Sequence, residues 1–308
     1  MRYLLTFCLA TLAPLCAQTR QVADGIEVML DGKPFATFHF GADANKPFLA
    51  PIRSASGKTI TRGFPMENIA GESRDHLHHR GLWFSYDDVN GVKFWENDPS
   101  YTKGKIGRIV VTKSETKLND GISTIYATME WRDPNAKVLL KEDRQMTFSG
   151  DSKMRTIDFV ITLTGVEDVV FGDTKEGAFA IRLADAFTER KGCKIVDADG
   201  RSKMVNVWGK RSNWVDYSAD VEGEKIGVAM FDHPSNLNHP TYWHARDYGL
   251  FALDPFGQHA FDPNAEVRTT KLPAGKKLTY RWRVVIHPGD SESGHVADLY
   301  KAYAAAMR

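Results

Sequence analysis

Between residues 106 and 164, apolar and polar positions alternate with a period of two, the signature of strands that bury one face. Ile106 to Lys113 reads as one strand and Ile122 to Trp131 as the next, joined across Asn119-Asp120-Gly121. Asp133-Pro134-Asn135 leads to a third over Val138 to Phe148, and Gly150-Asp151 to a fourth over Met154 to Thr164. Short turns between such runs predict an antiparallel meander. Upstream, Ile26 to Leu30 and Pro34 to Phe40 flank Asp31-Gly32. Downstream, Ala178 to Phe187, Ile226 to Phe231, Gly249 to Leu253 and Leu278 to Ile286 read as further strands. Helical spacing is clear near the end, where Val296, Leu299, Tyr300 and Tyr303 recur and Ser291 or Ser293 supplies a cap. The pattern predicts an all-β fold: a large antiparallel β-sandwich in one domain, residues 18–308, with a short C-terminal helix and long loops carrying function.

The first residues say where such a fold would work. Arg2, the apolar stretch Tyr3 to Leu15 and small residues around Ala17 have the order of a secretory signal peptide, and the apolar run is too short to span a bilayer. Residues 1–17 are expected to be removed, giving an exported protein, periplasmic or extracellular. A lipoprotein anchor on Cys16 is the alternative, although Leu15 fits poorly where that anchor needs a small residue. Cys8 and Cys16 belong to this segment, so Cys193 remains alone and no internal disulfide is expected. With 40 basic and 39 acidic residues the charge is balanced, which points away from nucleic acid or an anionic membrane as partner. No later apolar stretch reaches the length of a membrane span.

Candidate chemistry gathers in two segments. In the first, Asp75-His76-Leu77-His78-His79-Arg80-Gly81-Leu82-Trp83-Phe84, three of the ten histidines fall within four positions. If extended, this stretch projects His76 and His78 to one face and His79 to the other. Neutral imidazole is a common metal ligand and a usual acid or base near neutral pH. Arg80 adds a cation suited to a carboxylate or vicinal oxygens. Trp83 and Trp95 bracket an acidic, amide-rich turn containing Asp88 and Asn90. Aromatic faces beside carboxylates and amides suit a polyhydroxylated sugar. Singly, each histidine would serve as a core residue and Asp88-Val89-Asn90-Gly91 as a hairpin turn; the density of the cluster points to a site.

The second segment, residues 232 to 262, has two His-Pro dipeptides that hold a long loop in extended or turn geometry. His239 lies there, and Trp243-His244-Ala245-Arg246 repeats the aromatic, imidazole and guanidinium of the first segment. A third element, Thr174-Lys175-Glu176-Gly177, precedes a strand carrying Arg182; on residues alone Glu176 reads as an ordinary ion pair with Lys175. Trp208-Gly209-Lys210-Arg211 and Asn213-Trp214-Val215-Asp216-Tyr217 offer groups that could wall a cleft. The chain has no G-x-S-x-G elbow, G-x-G-x-x-G turn, P-loop or H-E-x-x-H pair, which points away from serine hydrolases, nicotinamide enzymes and zincins.

At these segments the sequence resembles the PmoA-like family of exported bacterial proteins, named after a methane oxygenase subunit. The resemblance rests on His76-x-His78-His79-Arg80-Gly81-Leu82-Trp83-Phe84 with Asp88-Val89-Asn90-Gly91, on Thr174 to Gly177 and on Trp214 to Tyr217. It continues through Asp232-His233-Pro234 and Trp243-His244-x-Arg246-x-Tyr248-Gly249-Leu250-Phe251. Leu77 stands where that family has proline. Such proteins look like members of the galactose-mutarotase-like supersandwich group, whose sites pair sugar-binding histidines with a carboxylate base. The resemblance implies Glu176 as that base, with His76, His78 and His244 as donors or acids.

The expectation is an exported carbohydrate-active enzyme acting on a sugar or glycoside, as isomerase, hydrolase or lyase, through His76, His78, Glu176 and His244. Substrate would be held by His79, Arg80, Trp83, Asp88, Asn90, Arg182, His239, Trp243 and Arg246, and the ligand would be a small molecule or oligosaccharide. No cofactor is evident. The first alternative is a divalent metal such as Zn²⁺, Mn²⁺ or Fe²⁺ on His76, His78 and His79 or His244. The second is a non-catalytic glycan-binding protein.

Overall fold

A computed structural model describes residues 17–306, so the segment read as a signal peptide lies, apart from Ala17, outside the described residues. Two antiparallel sheets of eight strands each dominate. The first contains the predicted meander: Arg108–Asn119, Ile122–Arg132, Val138–Gly150 and Arg155–Gly165 pair in sequence order. Lys277–Pro288, Glu224–Asp232, Trp214–Val221 and Lys194–Asp197 extend it. Alternate residues of Ile122–Arg132, from Ser123 to Trp131, are buried, which is the period-two pattern made physical. The second sheet runs, in spatial order, through Ala17–Val22, Gly25–Leu30, Lys33–His39, Phe48–Leu49, Leu82–Tyr86, Gly177–Arg182, Leu250–Asp254 and Tyr242–Trp243.

The sheets pack face to face as the predicted β-sandwich. Aromatic rings meet across the gap: Phe35 with Phe148, Phe84 with Trp131, and Phe159 with Phe179 at 4.7 Å between centroids. The helix Val296–Ala306 covers the outer face of the first sheet, burying Val296, Tyr300 and Tyr303 against Trp214, Phe231 and Val285. Trp214 and Tyr217 are therefore packing residues, and Asp216 is bonded to His287 at 2.9 Å; none of the three walls a cleft.

Some boundaries differ from the sequence reading. The run from Ala178 toward Phe187 stops as a strand at Arg182, and Asp185–Phe187 is one turn of 3-10 helix. Neither serine caps the last helix; Ser293 Oγ bonds within the preceding turn to Asp290, and His295 adopts φ 52° just before Val296. More informative are Leu82–Tyr86, Gly177–Arg182 and Leu250–Asp254, whose residues are buried on both faces. One face meets the sandwich core. The other is covered by loops, and those loops carry the histidines.

Candidate functional site

The floor of the site is the covered face of the second sheet. Trp83 pairs with Ala180 and Ala180 with Ala252, while His244 exchanges backbone hydrogen bonds with Ala252. Trp83, Ala180 and Ala252 thus stand in one row across three strands, continued by His244 just past the end of a fourth. The next row holds Ser85 opposite Ala178. Small side chains at the middle positions leave room above the sheet, and Tyr248 packs against the cluster that contains Trp83, Ala180 and Ala252.

A buried charge clamp shapes the loop over Trp83. Arg62, 1% exposed, spends all five N–H donors: on the Phe64 carbonyl, on the Asp75 carbonyl and carboxylate, and on the His76 and His79 carbonyls, at 2.6–3.2 Å. Arg182, fully buried, reaches the same carboxylate at 2.8 Å and lies 4.6 Å from the Tyr248 ring centre. His76 Nδ1 also lies 3.0 Å from this carboxylate. Burial alone would raise the Asp75 carboxyl, but the bonds from His76 and Arg182 and the charges of both arginines hold it well below the usual carboxylate range.

Pinned this way, the loop turns sharply, with His76 at φ 45°. The stretch is not extended, so His79 does not project away from His76. Their rings stack at 4.6 Å and 1°, with Tyr248 beyond His76 at 5.4 Å and Trp83 beyond His79 at 5.3 Å. His78 meets this column edge-on, 4.3 Å from His79. The two informative segments therefore converge, since Tyr248 and Arg246, 5.4 Å from the Tyr248 ring centre, come from the second.

A cavity of about 630 Å³ opens beside the column. His76, His78, Lys93, Glu96, Tyr101 and the segment 102–104 line it. His78 Nδ1 lies 3.0 Å from the Tyr101 hydroxyl. The buried Lys46 Nζ donates to the Trp95 carbonyl and to Asn97 Oδ1, both at 2.6 Å. Burial, then the charge of Lys46, pulls the His78 imidazole down to about 2. Burial, then Lys175, takes His244 to about 3, and burial holds His79 well below its ordinary value. These three rings are neutral hydrogen-bonding groups at pH 7. His76 differs in having a carboxylate on Nδ1 and a side chain 42% exposed at the cavity.

His244 donates from Nδ1 to the Lys175 carbonyl at 2.8 Å, leaving Nε2 as an acceptor. Glu176, partly buried, is ion-paired with Lys175 as the residues alone suggested, and its backbone carbonyl accepts from Asp87 N. Asp254 lies close by on the same face, where burial outweighs two backbone donors and raises its carboxyl to about 7.

Other expected site residues do different work. Trp83 and Trp243 are 1% and 0% exposed, so neither offers a free face to a sugar; Trp243 faces the core and donates to the Ser212 carbonyl. Asp88 and Asn90 build a turn, accepting from Gly91 N and Val170 N respectively. His239 is tied to the buried Asp232 at 2.8 Å. Arg80 bridges Asp98 and Asp43. Among the described residues, no group of three or more His, Cys, Asp or Glu is arranged to hold a metal ion, so His76, His78 and His244 do not form a ligand set. Sequence reasoning missed Arg62, Lys46, Glu96, Tyr101 and the roles of Asp75 and Tyr248. Asp75 beside His76 was a readable signal. Nothing local marks Arg62, 13 positions upstream of its carboxylate.

Residues 25–301 match the family of unknown function DUF6807, and the chain belongs to that family. A search of curated proteins finds no match. Among solved structures, the chain is similar to an α-galactosidase from Lactobacillus brevis, with 8% identity, 89% of this chain and 40% of that one covered, and a TM-score of 0.40. A GH36 α-galactosidase from Geobacillus stearothermophilus gives 9%, 90%, 41% and 0.42 in the same order. A galactose-mutarotase-related enzyme from Lactobacillus acidophilus gives 12%, 88%, 97% and 0.36. The chain spans about two fifths of the galactosidases' length. None of these matches bears the PmoA-like name.

Proposed function

We propose that this member of the DUF6807 family is an exported carbohydrate-active enzyme, periplasmic or extracellular, that moves a proton at a sugar carbon or oxygen. One observation carries the reading: the Asp75–His76 pair borders a cavity of about 630 Å³ that His78, Glu96 and Tyr101 also line. That volume suits a small polar ligand, and the surrounding groups are titratable rather than merely adhesive. His76 Nε2 takes or returns the proton, and Asp75 fixes its tautomer. Neutral His78 and the Tyr101 hydroxyl bond to a sugar oxygen, and Glu96 with Lys93 holds other hydroxyls. Glu176 and His244 do not line this cavity and take no part in the step. Isomerisation, hydrolysis and elimination all use such a proton transfer.

The test incubates the protein with monosaccharides, uronic acids and glycosides and follows their proton NMR spectra. A sugar whose anomeric or ring signals change is expected, with His76→Ala cutting turnover at least about a hundredfold. Sugars that bind but are recovered intact after long incubation would replace catalysis with a binding role. Full activity in His76→Ala would remove the dyad from the mechanism.

A further inference from the structure

Tyr101 walls more than one space. Its other side borders a second cavity of about 720 Å³, lined by Asn45, Pro99, Ile106, Arg108, Arg132 and Pro134. The two cavities are neighbours across one phenol, and that phenol is hydrogen-bonded to His78. Each volume lies in the range that accepts a small-molecule ligand.

The charged residues lining the second cavity are Arg108, Arg132 and Asp133, and the Asp133 carboxylate is engaged by its own turn, accepting from Asn135 N and Lys137 N. Arg108 and Arg132 stand directly opposite one another in the register of their strands. Like charges so paired destabilise a sheet, and a negative group between them relieves the repulsion. Arg132 already has such a group, since Glu130 accepts from it at 2.9 and 2.6 Å. Arg108 is exposed and donates to the Ala42 carbonyl at 3.4 Å, a long bond that leaves most of its fork to an incoming anion. Pro99, Ile106 and Pro134 add apolar surface of the kind that packs against the C–H face of a sugar ring.

We infer that the second cavity is a further subsite for the same ligand, that this ligand is an acidic glycan of at least two sugar units, and that Arg108 takes the carboxylate of the unit beyond Tyr101. The inference rests on the carbohydrate reading of the first cavity. Tyr101 then lies between two sugar units, and its bond to His78 makes occupancy of the far subsite felt at the near one.

The experiment screens the protein on an array of neutral and acidic glycans of one to four units. Calorimetry on the best binder, its methyl ester and its monosaccharide follows, for the wild type and Arg108→Ala. The best binder should be acidic and at least two units long, and esterification should weaken it. Arg108→Ala should weaken it about tenfold, one charge-assisted bond, and leave monosaccharide affinity unchanged. Arg108 is exposed and faces a like charge, so the variant should melt no lower than the wild type. Equal binding of the neutral ester, a silent Arg108→Ala, or affinity that does not grow beyond one unit would each overturn the inference while the carbohydrate reading stands. No binding by any glycan would remove that reading and this inference together.

Discussion

Replacing Asp75 by Asn removes the one carboxylate that Arg62 and Arg182 share. Both guanidinium side chains are fully buried and within 2.8 Å of it. Breaking a fully buried pair costs about 3–5 kcal/mol because a charge is stranded. The Asp75 side chain is itself 40% exposed, so water reaches the altered side, and about 2–3 kcal/mol is the expected loss. For a chain of this size that lowers the melting temperature by roughly 4–12 °C. Urea denaturation of Asp75→Asn beside Asp43→Asn gives an internal contrast, since Asp43 is 73% exposed and its loss should cost under about 0.5 kcal/mol. The sign with pH is fixed. The folded carboxyl is held below its unfolded value of about 3.9, so the stabilisation is complete above that value. It is lost as pH falls from there toward the lower folded value. Wild type should therefore lose stability on acidification more steeply than Asp75→Asn. A variant within about 0.5 kcal/mol of wild type at pH 7 would refute the clamp.

Other expectations are equally open to measurement. For His287, burial pulls the imidazole down but the hydrogen bond and charge of Asp216 outweigh it and raise it. Its stabilisation is thus full below the unfolded value of about 6.5 and fades as pH rises through the higher folded value. His287→Phe should flatten that decline in denaturation curves taken from pH 6 to 9. Gly227→Ala would set a Cβ 2.1 Å from the same ring and should cost about 1–3 kcal/mol by the same method. Cys193 is buried and its thiol is pushed up, first by burial and then by Asp216. It should resist an aromatic disulfide reagent in the native protein and react on unfolding. Asn90→Ala loses bonds to Val170 N and the Asp168 carbonyl at a φ of 54°. It should cost about 1–2 kcal/mol and leave turnover unchanged.

The meander was legible because each strand has one wet face, and alternation records that directly. Leu82–Tyr86 and Trp214–Val221 are covered on both faces and show no alternation, whereas the equally buried Gly177–Arg182 and Leu250–Asp254 stood out as apolar runs that follow a glycine. A strand buried on both sides has something lying over it: the histidine loop over Leu82–Tyr86, the last helix over Trp214–Val221. The histidine cluster was readable as density, and its geometry was not. A left-handed turn at His76, held by an arginine remote in sequence, turned a predicted alternation of faces into one stack. Trp83 and Trp243 misled because composition does not distinguish an aromatic beneath a site from one that lines it. Glu96 and Tyr101 become visible once the chain has folded the 93–104 segment against the same cavity as His76 and His78.

The column of rings has an optical consequence. Tyr248, His76, His79 and Trp83 are in successive face contact, from a half-exposed imidazole down to an indole that is 1% exposed. A molecule that tilts or protonates His76 alters what His79 presents to Trp83, and indole emission responds to the charge and orientation of a neighbouring imidazole. The protein therefore carries its own dye wired to the cavity. Of its seven tryptophans, Trp83 stacks on His79 and Trp95 meets the same ring edge-on at 5.9 Å, so replacing Trp83 by phenylalanine should shrink the signal and replacing both should silence it.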